Sequence, residues 1–324
     1  MKPFESLLKH KLEDYISYRK SLGYTDRNLR TVLRPFDCYL VNTPVKVSDI
    51  SALFILEFKK SLRGQPRTLN NILSGVRGFF HYLVRKEIIE HNPAKDIPSS
   101  RENVFFPFIF SAELTDQLLG AIQRRIRRDP VHFFSDLSVY TAILLLARCG
   151  LRISEPLRLK RYHYRKDDGS IYIEKTKFSK DRLIPLPQRL ICHMDNYLSV
   201  KNTLSRNDQN PFLLAGKKDT NLSPKALYSA FSPALRDIGV DCSRRIVGNT
   251  VFGAPTPHSL RHSWAINTLK QIRARGKSPQ AALPVLSEFM GHRKYRYTAV
   301  YLKFLDAEQR QGLVDFSIKA QKDI

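Results

Sequence analysis

Between Asn92 and Pro107 the chain carries Pro93, Pro98 and Pro107 with Ser99-Ser100 among them. A helix cannot run through that spacing, because proline removes a backbone donor and clashes with the preceding turn. The stretch therefore divides the 324 residues into a short leading part and a longer trailing one, each long enough for its own core. We place a first domain at residues 1–100, a linker at 101–109 and a second domain from Phe110 to Ile324.

The leading part has helical periodicity. Leu8, Leu12, Tyr15, Ile16 and Leu22 recur at helix-face intervals, and Leu29, Val32, Leu33 and Tyr39 continue the pattern. Ser48-Asp49-Ile50-Ser51 offers an N-cap region for a helix over Ala52–Leu62. A fourth helix is expected after Pro66, carrying Leu69, Ile72, Leu73, Val76, Phe79, Phe80 and Leu83. In the trailing part, helical patterns at Ser111–Leu114 and Phe133–Ala147 precede two short strand-like runs, Ser170–Glu174 and Arg182–Leu186. Pro185 suits a sheet edge or a strand end. The fold class is mainly α: a small all-helical N-terminal domain and a larger, mostly helical one with a small antiparallel sheet.

Charge narrows the partner. Lys and Arg number 54 against 30 Asp and Glu, a surplus of +24. Residues 1–100 hold +7 and the other 224 hold +17, so no single basic tail is the source. Two basic lobes fit one shared polyanion, foremost a nucleic acid. The most apolar run, Val139–Ala147, is far shorter than a membrane span, and Met1–Glu5 has no signal-peptide character. Cys38, Cys149, Cys192 and Cys242 lack CxxC spacing, which points to neither a disulfide framework nor a zinc knuckle. A cytoplasmic protein without membrane partner is expected, nucleoid-associated when bound to DNA.

Four segments of the trailing part hold candidate chemistry. In Arg148-Cys149-Gly150-Leu151-Arg152-Ile153-Ser154-Glu155-Pro156, Gly150 permits a sharp turn and Ser154 can cap a helix with Glu155 in its first turn. Arg152 would then stand at a structured corner. Lys177 lies between the two strand-like runs. In His258-Ser259-Leu260-Arg261-His262, spacing i, i+3 puts His258 and Arg261 on one helical face, with His262 near His258. A zinc reading of that histidine pair lacks both the HExxH glutamate and a third ligand. Finally Gly291-His292 is followed nine residues later by Tyr301, with Tyr295 and Tyr297 between.

In this order the phrases Gly-Leu-Arg-Ile-Ser-Glu, Lys-x-x-Lys-x-Arg-Leu-Ile-Pro-Leu, His-x-Leu-Arg-His and Gly-His-x8-Tyr resemble the tyrosine recombinase (phage integrase) family. The resemblance covers nearly the whole chain. It implies a helical core-binding domain at 1–100 and a catalytic domain from Phe110. It implies that Arg152 and Arg261 bind the scissile phosphate, Lys177 is the general acid, His258 and His292 assist, and Tyr301 is the nucleophile. His258 would accept the tyrosine proton and His292 donate to a phosphate oxygen, with no metal and no cofactor. Glu155 looks structural and stays outside this set. Residues Lys270–Ser278 read as an inserted basic turn, Arg293–Arg296 replaces small polar residues usual after the Gly-His pair, and Pro156 replaces a commoner leucine.

The function implied is site-specific DNA recombination through a 3′-phosphotyrosyl intermediate, in integration, excision, resolution or transposition, as befits a mobile genetic element. The partner would be double-stranded DNA with specific core sites, bound by a homo-tetramer on synapsed DNA, alone or with a second recombinase or accessory proteins. Residues Asp306–Ile324 would form a terminal helix that docks on a neighbouring protomer. Arg63, Arg67, Asn70, Asn71, Arg77, Lys180 and Arg182 are the candidates for DNA contact. The alternatives are a type IB topoisomerase-like relaxase, a DNA-binding regulator without catalysis, and a metal nuclease.

If two basic lobes share one duplex, the second contact is effectively intramolecular. Residues 1–100 and the remainder, expressed separately, should each bind duplex DNA more weakly than the intact chain. Intact-chain affinity should fall steeply with salt, as phosphate contacts release counterions. Titrations at several salt concentrations check this; one half binding as tightly as the whole would refute the shared clamp.

Overall fold

A computed structural model describes residues 2–24, 26–174, 181–204, 210–216, 220–240, 243–292 and 294–306. It divides into two compact units, one ending at Val104 and the other beginning at Phe105. The second unit thus starts inside the stretch 101–109 that reads as a linker.

The first unit is built from α1 (Lys9–Ser21), α2 (Asp26–Asn42), α3 (Ala52–Ser61) and α4 (Pro66–Arg85). Ser51 caps α3, its hydroxyl accepting from the Phe54 N–H at 3.3 Å, and Pro66 occupies the first position of α4. The apolar stripes meet in a core where Phe36 packs edge-on against Phe58 and Phe80, at 5.0 and 5.7 Å between ring centroids. A Cβ on Gly75 would come within 2.3 Å of Val32 Cγ1, so glycine is what lets α2 and α4 approach. Leu22 departs from the expected pattern. The helix stops at Ser21, and Leu22 is exposed in the turn completed by Gly23 at φ 80°.

Two of the DNA-contact candidates in this unit are engaged internally. Arg77 donates from Nε to the Ala94 carbonyl at 2.9 Å and from Nη2 to that of Ile97 at 2.8 Å. Asn70 donates to the Ser100 carbonyl at 2.9 Å and accepts from the Ser100 N–H at 2.8 Å. Together they lay the chain after α4 back along that helix, because a loop against a helix must find partners for its own polar groups. Arg63, Arg67 and Asn71 are exposed.

The second unit holds α5 (Ala112–Arg124), α6 (Phe133–Cys149), α7 (Gln188–Leu204), α8 (Pro224–Asp237), α9 (Pro257–Ala274), α10 (Pro279–Met290) and helical residues 296–306. Helix α6 is buried almost all round, as its unbroken apolar run requires. Gly150 ends it at φ 58°, and a Cβ there would lie 2.4 Å from the Trp264 ring on α9. That close approach turns the chain sharply into Arg152. Pro156 then opens a short 3₁₀ turn, Pro156–Arg158, with Glu155 and not Ser154 in the cap position, its carboxylate turned instead to Arg152 and Arg182. Helix α9 runs on through Ala274, so the expected basic insertion shrinks to a turn around Gly276 at φ 72°.

There are two small sheets among the described residues, where the sequence signals one. The expected hairpin pairs β3 (Ser170–Ile173) with β4 (Arg182–Pro185), Ser170 opposite Pro185 and Ile173 opposite Arg182; β2 (Tyr164–Arg165) completes this sheet. Pro185 lies on the edge strand β4, as its missing N–H demands. The second sheet joins β1 (Val104–Phe106), β6 (Thr250–Phe252) and β5 (Arg245–Val247). Its strands have three residues each, too few to show alternation.

The Arg77 bonds make a prediction. Arg77→Ala should destabilise the protein by about 2 kcal/mol, the scale for hydrogen bonds to a charged donor, read by urea unfolding. Arg67→Ala should leave stability unchanged within about 0.5 kcal/mol, as is usual for a surface substitution, while weakening DNA binding.

Candidate active site

The carboxyl end of α10 organises the site. Helix ends leave carbonyls without intrahelical partners, and cations are favoured there. Here three consecutive carbonyls are each taken by a different arginine. Arg182 Nε donates to Phe289 at 2.7 Å, Arg261 Nη2 donates to Met290 at 2.6 Å, and Arg152 Nη2 donates to Gly291. Gly291 closes the helix at φ 62°, and a Cβ on it would crowd Arg182 Nη1 at 3.0 Å and Arg152 Nη1 at 3.3 Å. The three arginines come from the corner after α6, strand β4 and helix α9.

Arg261 is the most deeply set, 2% exposed. Its Nη1 donates to the Gly150 carbonyl at 2.6 Å, so one guanidinium joins the ends of α6 and α10. Burial lowers its pKa to about 10, still cationic at neutral pH. Glu155 is the carboxylate between the other two. Its Oε1 accepts from Arg152 Nη1 at 2.9 Å, and its Oε2 accepts from Arg182 Nη2 and from the Arg152 backbone N–H, both at 2.8 Å. Burial opposes its ionisation, but Arg182 and the Arg152 N–H outweigh burial and hold the carboxyl below its ordinary range. Arg182 Nη1 is buried without a hydrogen-bond partner among the described residues. Three guanidiniums facing one carboxylate leave a positive field suited to an anion.

Tyr301 enters from helical residues 296–306 and is only 4% exposed. Its Oη lies 3.0 Å from His262 Nδ1. Burial pushes the phenol up to about 12, while Arg261 and Arg152 pull it back down. His292 stacks beside Tyr301, with ring centroids 6.4 Å apart. Its Nε2 faces Arg261 Nη2 at 3.2 Å and its Nδ1 faces Thr298 Oγ1 at 2.8 Å. Arginine can only donate, so Nε2 is the acceptor and Nδ1 carries the proton. Burial, then Arg261 and Arg152, lower His292 to about 3; burial, then His258 and Arg261, lower His262 to about 4. Both rings are neutral at pH 7. His258 is likewise lowered, first by desolvation and then by Arg261 and Arg152, and its ring meets that of His262 edge-on at 4.9 Å.

The structure thus gathers Arg152, Arg261, His258, His292 and Tyr301 in one unit, and leaves Tyr295 and Tyr297 exposed. Lys177 and Lys180 lie outside the described residues. The hairpin that carries them leaves β3 at Ile173 and re-enters β4 at Arg182, whose guanidinium is in the site. Arg182, a DNA-contact candidate from sequence, is tied instead to Glu155 and α10. Three participants were not in the sequence-derived set: His262, Glu155 and Thr298. His262 is read there only as half of a weak metal pair. Its position next to Arg261 on α9 was the available signal, but its partner is 39 residues away.

A family model described as the phage integrase family matches residues 115–308. A putative integrase/recombinase, y4rE of Sinorhizobium fredii, is 28% identical over 303 residues, 93% of each chain. Tyrosine recombinase XerA of Pyrococcus furiosus is 25% identical over 305 residues, covering 92% of this chain and 91% of the relative. Among solved structures, XerH site-specific recombinase bound to a palindromic difH substrate superposes with TM-score 0.66 and 18% identity, over 93% of this chain and 83% of that one. A lambda integrase dimer bound to a core site gives TM-score 0.64 and 17% identity, over 91% and 76%. The chain belongs to the phage integrase family of tyrosine recombinases.

The neutral histidines tie stability to pH. In the unfolded chain both titrate near about 6.5; folded, they fall to about 4 and about 3. Between those values the unfolded chain binds more protons, so stability rises with pH. It is fully present above about pH 6.5 and is lost as pH falls through about 4 and on toward about 3. Melting temperature should drop through that window, and His292→Gln should flatten the decline. Identical slopes in both proteins would show that His292 carries none of it.

Proposed function

We propose that Tyr301 breaks and rejoins DNA strands at a phosphodiester held by Arg152 and Arg261. The observation that carries this reading is the buried Tyr301 hydroxyl, hydrogen-bonded to an imidazole beside a cluster of three arginines. As a member of its family the chain is a tyrosine-type site-specific recombinase, and the proposal concerns which residues do the work.

A phosphodiester repels nucleophiles because its non-bridging oxygens already carry charge. Planar guanidiniums neutralise that charge and bind the transition state increasingly well as negative charge builds. Arg152 and Arg261 are gathered by carbonyls and Glu155 before any substrate arrives, and each exchanges some of those bonds for the phosphate. Attack by Tyr301 Oη forms a 3′-phosphotyrosine and releases a 5′ oxygen, which Lys177 protonates. The covalent link conserves the phosphodiester's energy, so a 5′-hydroxyl of another strand can reseal it. His292 completes the phosphate cradle: as Arg261 turns to the phosphate, Nε2 is released, and the ring donates from it once the proton has moved there from Nδ1, which then accepts from the Thr298 hydroxyl.

Lambda integrase is known as a dimer on a core site and as a tetramer on a Holliday junction, and XerH is known on its difH substrate. By that likeness this chain works on double-stranded DNA as a multimer, exchanging strands in pairs, with the helical first unit gripping the core site. Among the described residues no helix is long and apolar enough to cross a membrane. The docking helix expected over Asp306–Ile324 lies almost wholly outside the described residues.

Tyr301→Phe should bind its DNA site normally yet form no covalent adduct with a nicked suicide duplex. Loss of the adduct in Tyr295→Phe or Tyr297→Phe, but not in Tyr301→Phe, would overturn the assignment. Lys177→Ala should cleave ordinary DNA roughly 10²–10⁴-fold more slowly, the usual worth of a general acid. It should recover on a 5′-bridging phosphorothiolate, whose thiolate leaves without a proton because thiols titrate near about 8.5. Arg152→Ala should recover far less, since sulfur at the bridge supplies no charge to the non-bridging oxygens.

A further inference from the structure

Arg182 brings a third cation to a site whose phosphate is held by two others. We propose that Arg182 is a positioning residue: by sharing Glu155 it keeps that carboxylate from cancelling the charge of Arg152, and so leaves Arg152 to act on the phosphate. This inference rests on the reading of Arg152 given above.

Geometry sets Arg182 apart from a simple structural tie. It opens β4, and its side chain is only 9% exposed. Its Nη2 donates to Glu155 Oε2 at 2.8 Å and its Nε to the Phe289 carbonyl at 2.7 Å. Its Nη1 is buried with no hydrogen-bond partner among the described residues. That nitrogen lies beside Arg152: a Cβ on Gly291 would meet Arg182 Nη1 at 3.0 Å and Arg152 Nη1 at 3.3 Å. Two like charges packed so close, one with a donor left over, are a costly way to join β4 to α10. An uncharged side chain with one N–H would serve the Phe289 carbonyl as well. What the guanidinium adds is its charge, and that charge is placed on Glu155.

Electrostatics give the charge a purpose. The Glu155 side chain is 8% exposed and accepts from both neighbours, Oε1 from Arg152 Nη1 at 2.9 Å and Oε2 from Arg182 Nη2. Burial opposes its ionisation, and the hydrogen bond and charge of Arg182 lead the effects that overcome burial. One carboxylate is thus divided between two guanidiniums. Together with Arg261, three guanidiniums stand against one carboxylate, which leaves two positive charges. A phosphodiester brings one negative charge, and attack by the phenol oxygen adds another as its proton leaves, so the pentacovalent state is matched. Without Arg182, Arg152 is the one cation hydrogen-bonded to Glu155. That pair is neutral, and Arg261 alone faces the phosphate. The Arg182 charge also reaches further. Burial and Arg152 lead in lowering the pKa of Arg261, burial and Arg261 in lowering that of His292, and Arg182 adds to both.

Single-turnover cleavage of a suicide duplex tests this on two substrates, ordinary DNA and DNA with a methylphosphonate at the scissile position. A methyl group in place of one non-bridging oxygen makes the linkage neutral, so less cationic charge is needed. Arg182→Met should cleave ordinary DNA roughly 10²-fold more slowly, the lower end for loss of one preorganised donor. On the methylphosphonate its deficit against the unaltered protein should largely close. Arg182→Lys keeps the charge but loses the planar fork, and should stay within about tenfold of the unaltered rate on ordinary DNA. Glu155→Gln added to Arg182→Met should raise the rate above that of Arg182→Met alone, because a neutral amide cannot cancel Arg152. A deficit equal on both substrates, a lysine variant as slow as the methionine variant, or a double variant no faster than Arg182→Met would overturn the proposal and leave Arg182 a structural tie. Should Arg182→Met not fold, Arg182→Lys decides alone: a rate within about tenfold supports the proposal and a larger loss refutes it. Normal cleavage of ordinary DNA by Arg152→Ala would instead sink the underlying reading, whatever Arg182 does.

Discussion

Three arginines from three separate elements converge on the last carbonyls of α10, and the geometry of the site follows from that convergence. Phe289, Met290 and Gly291 offer acceptors that the helix itself cannot use, and Arg182, Arg261 and Arg152 take one each. Like-charged guanidiniums would repel if left to themselves. The negative end of a helix, the Gly150 carbonyl at the end of α6 and the single carboxylate of Glu155 make their proximity tolerable. The arrangement welds α6, α9, α10 and β4 into one frame.

Such a frame gathers three guanidiniums at one place before any ligand arrives. Positive charge is concentrated in a partly buried place, where it counts for more than on an open surface. Burial, reinforced by this field, keeps the histidines neutral, and the field tempers the penalty that burial places on the Tyr301 phenol. Neutral imidazoles can accept a proton or, in the right tautomer, donate one, and Thr298 and Arg261 set the tautomer of His292. In the resting state the Arg261 guanidinium and the Tyr301 hydroxyl both have internal partners, so engaging DNA means exchanging those partners for phosphate oxygens.

Much of the local structure was legible because it depends on short-range rules. Pro66 at a helix start, a cap before Ala52 and the turn at Gly150 follow from residues within four positions of one another, and the pairing of Ser170–Ile173 with Arg182–Pro185 from residues at most 15 apart. Elements whose existence depends on distant partners escaped. Strands β5 and β6 form a local hairpin too short to show alternation, and β1, itself three residues long, joins it from more than 130 positions away. Lys270–Ala274 looked like an inserted turn because its charges mask helical periodicity, yet α9 continues through it. Arg77, Asn70 and Arg182 looked like DNA contacts because an arginine or asparagine on a basic helix or strand carries no sign of the carbonyl it will reach.

From its residues alone the chain declares two basic, mainly helical parts and an ordered set of arginines, histidines and tyrosine that marks its family. Those properties are composition, spacing and periodicity, which are written in neighbouring positions. Only the tertiary structure decides which residue touches which. It buries Tyr301 beside His262 and His292 while leaving Tyr295 and Tyr297 exposed, draws Glu155 into a bridge between two arginines, and sets His262 against the hydroxyl. A hydrogen bond needs its partners within about 3 Å, and only folding brings residues far apart in the chain to that distance.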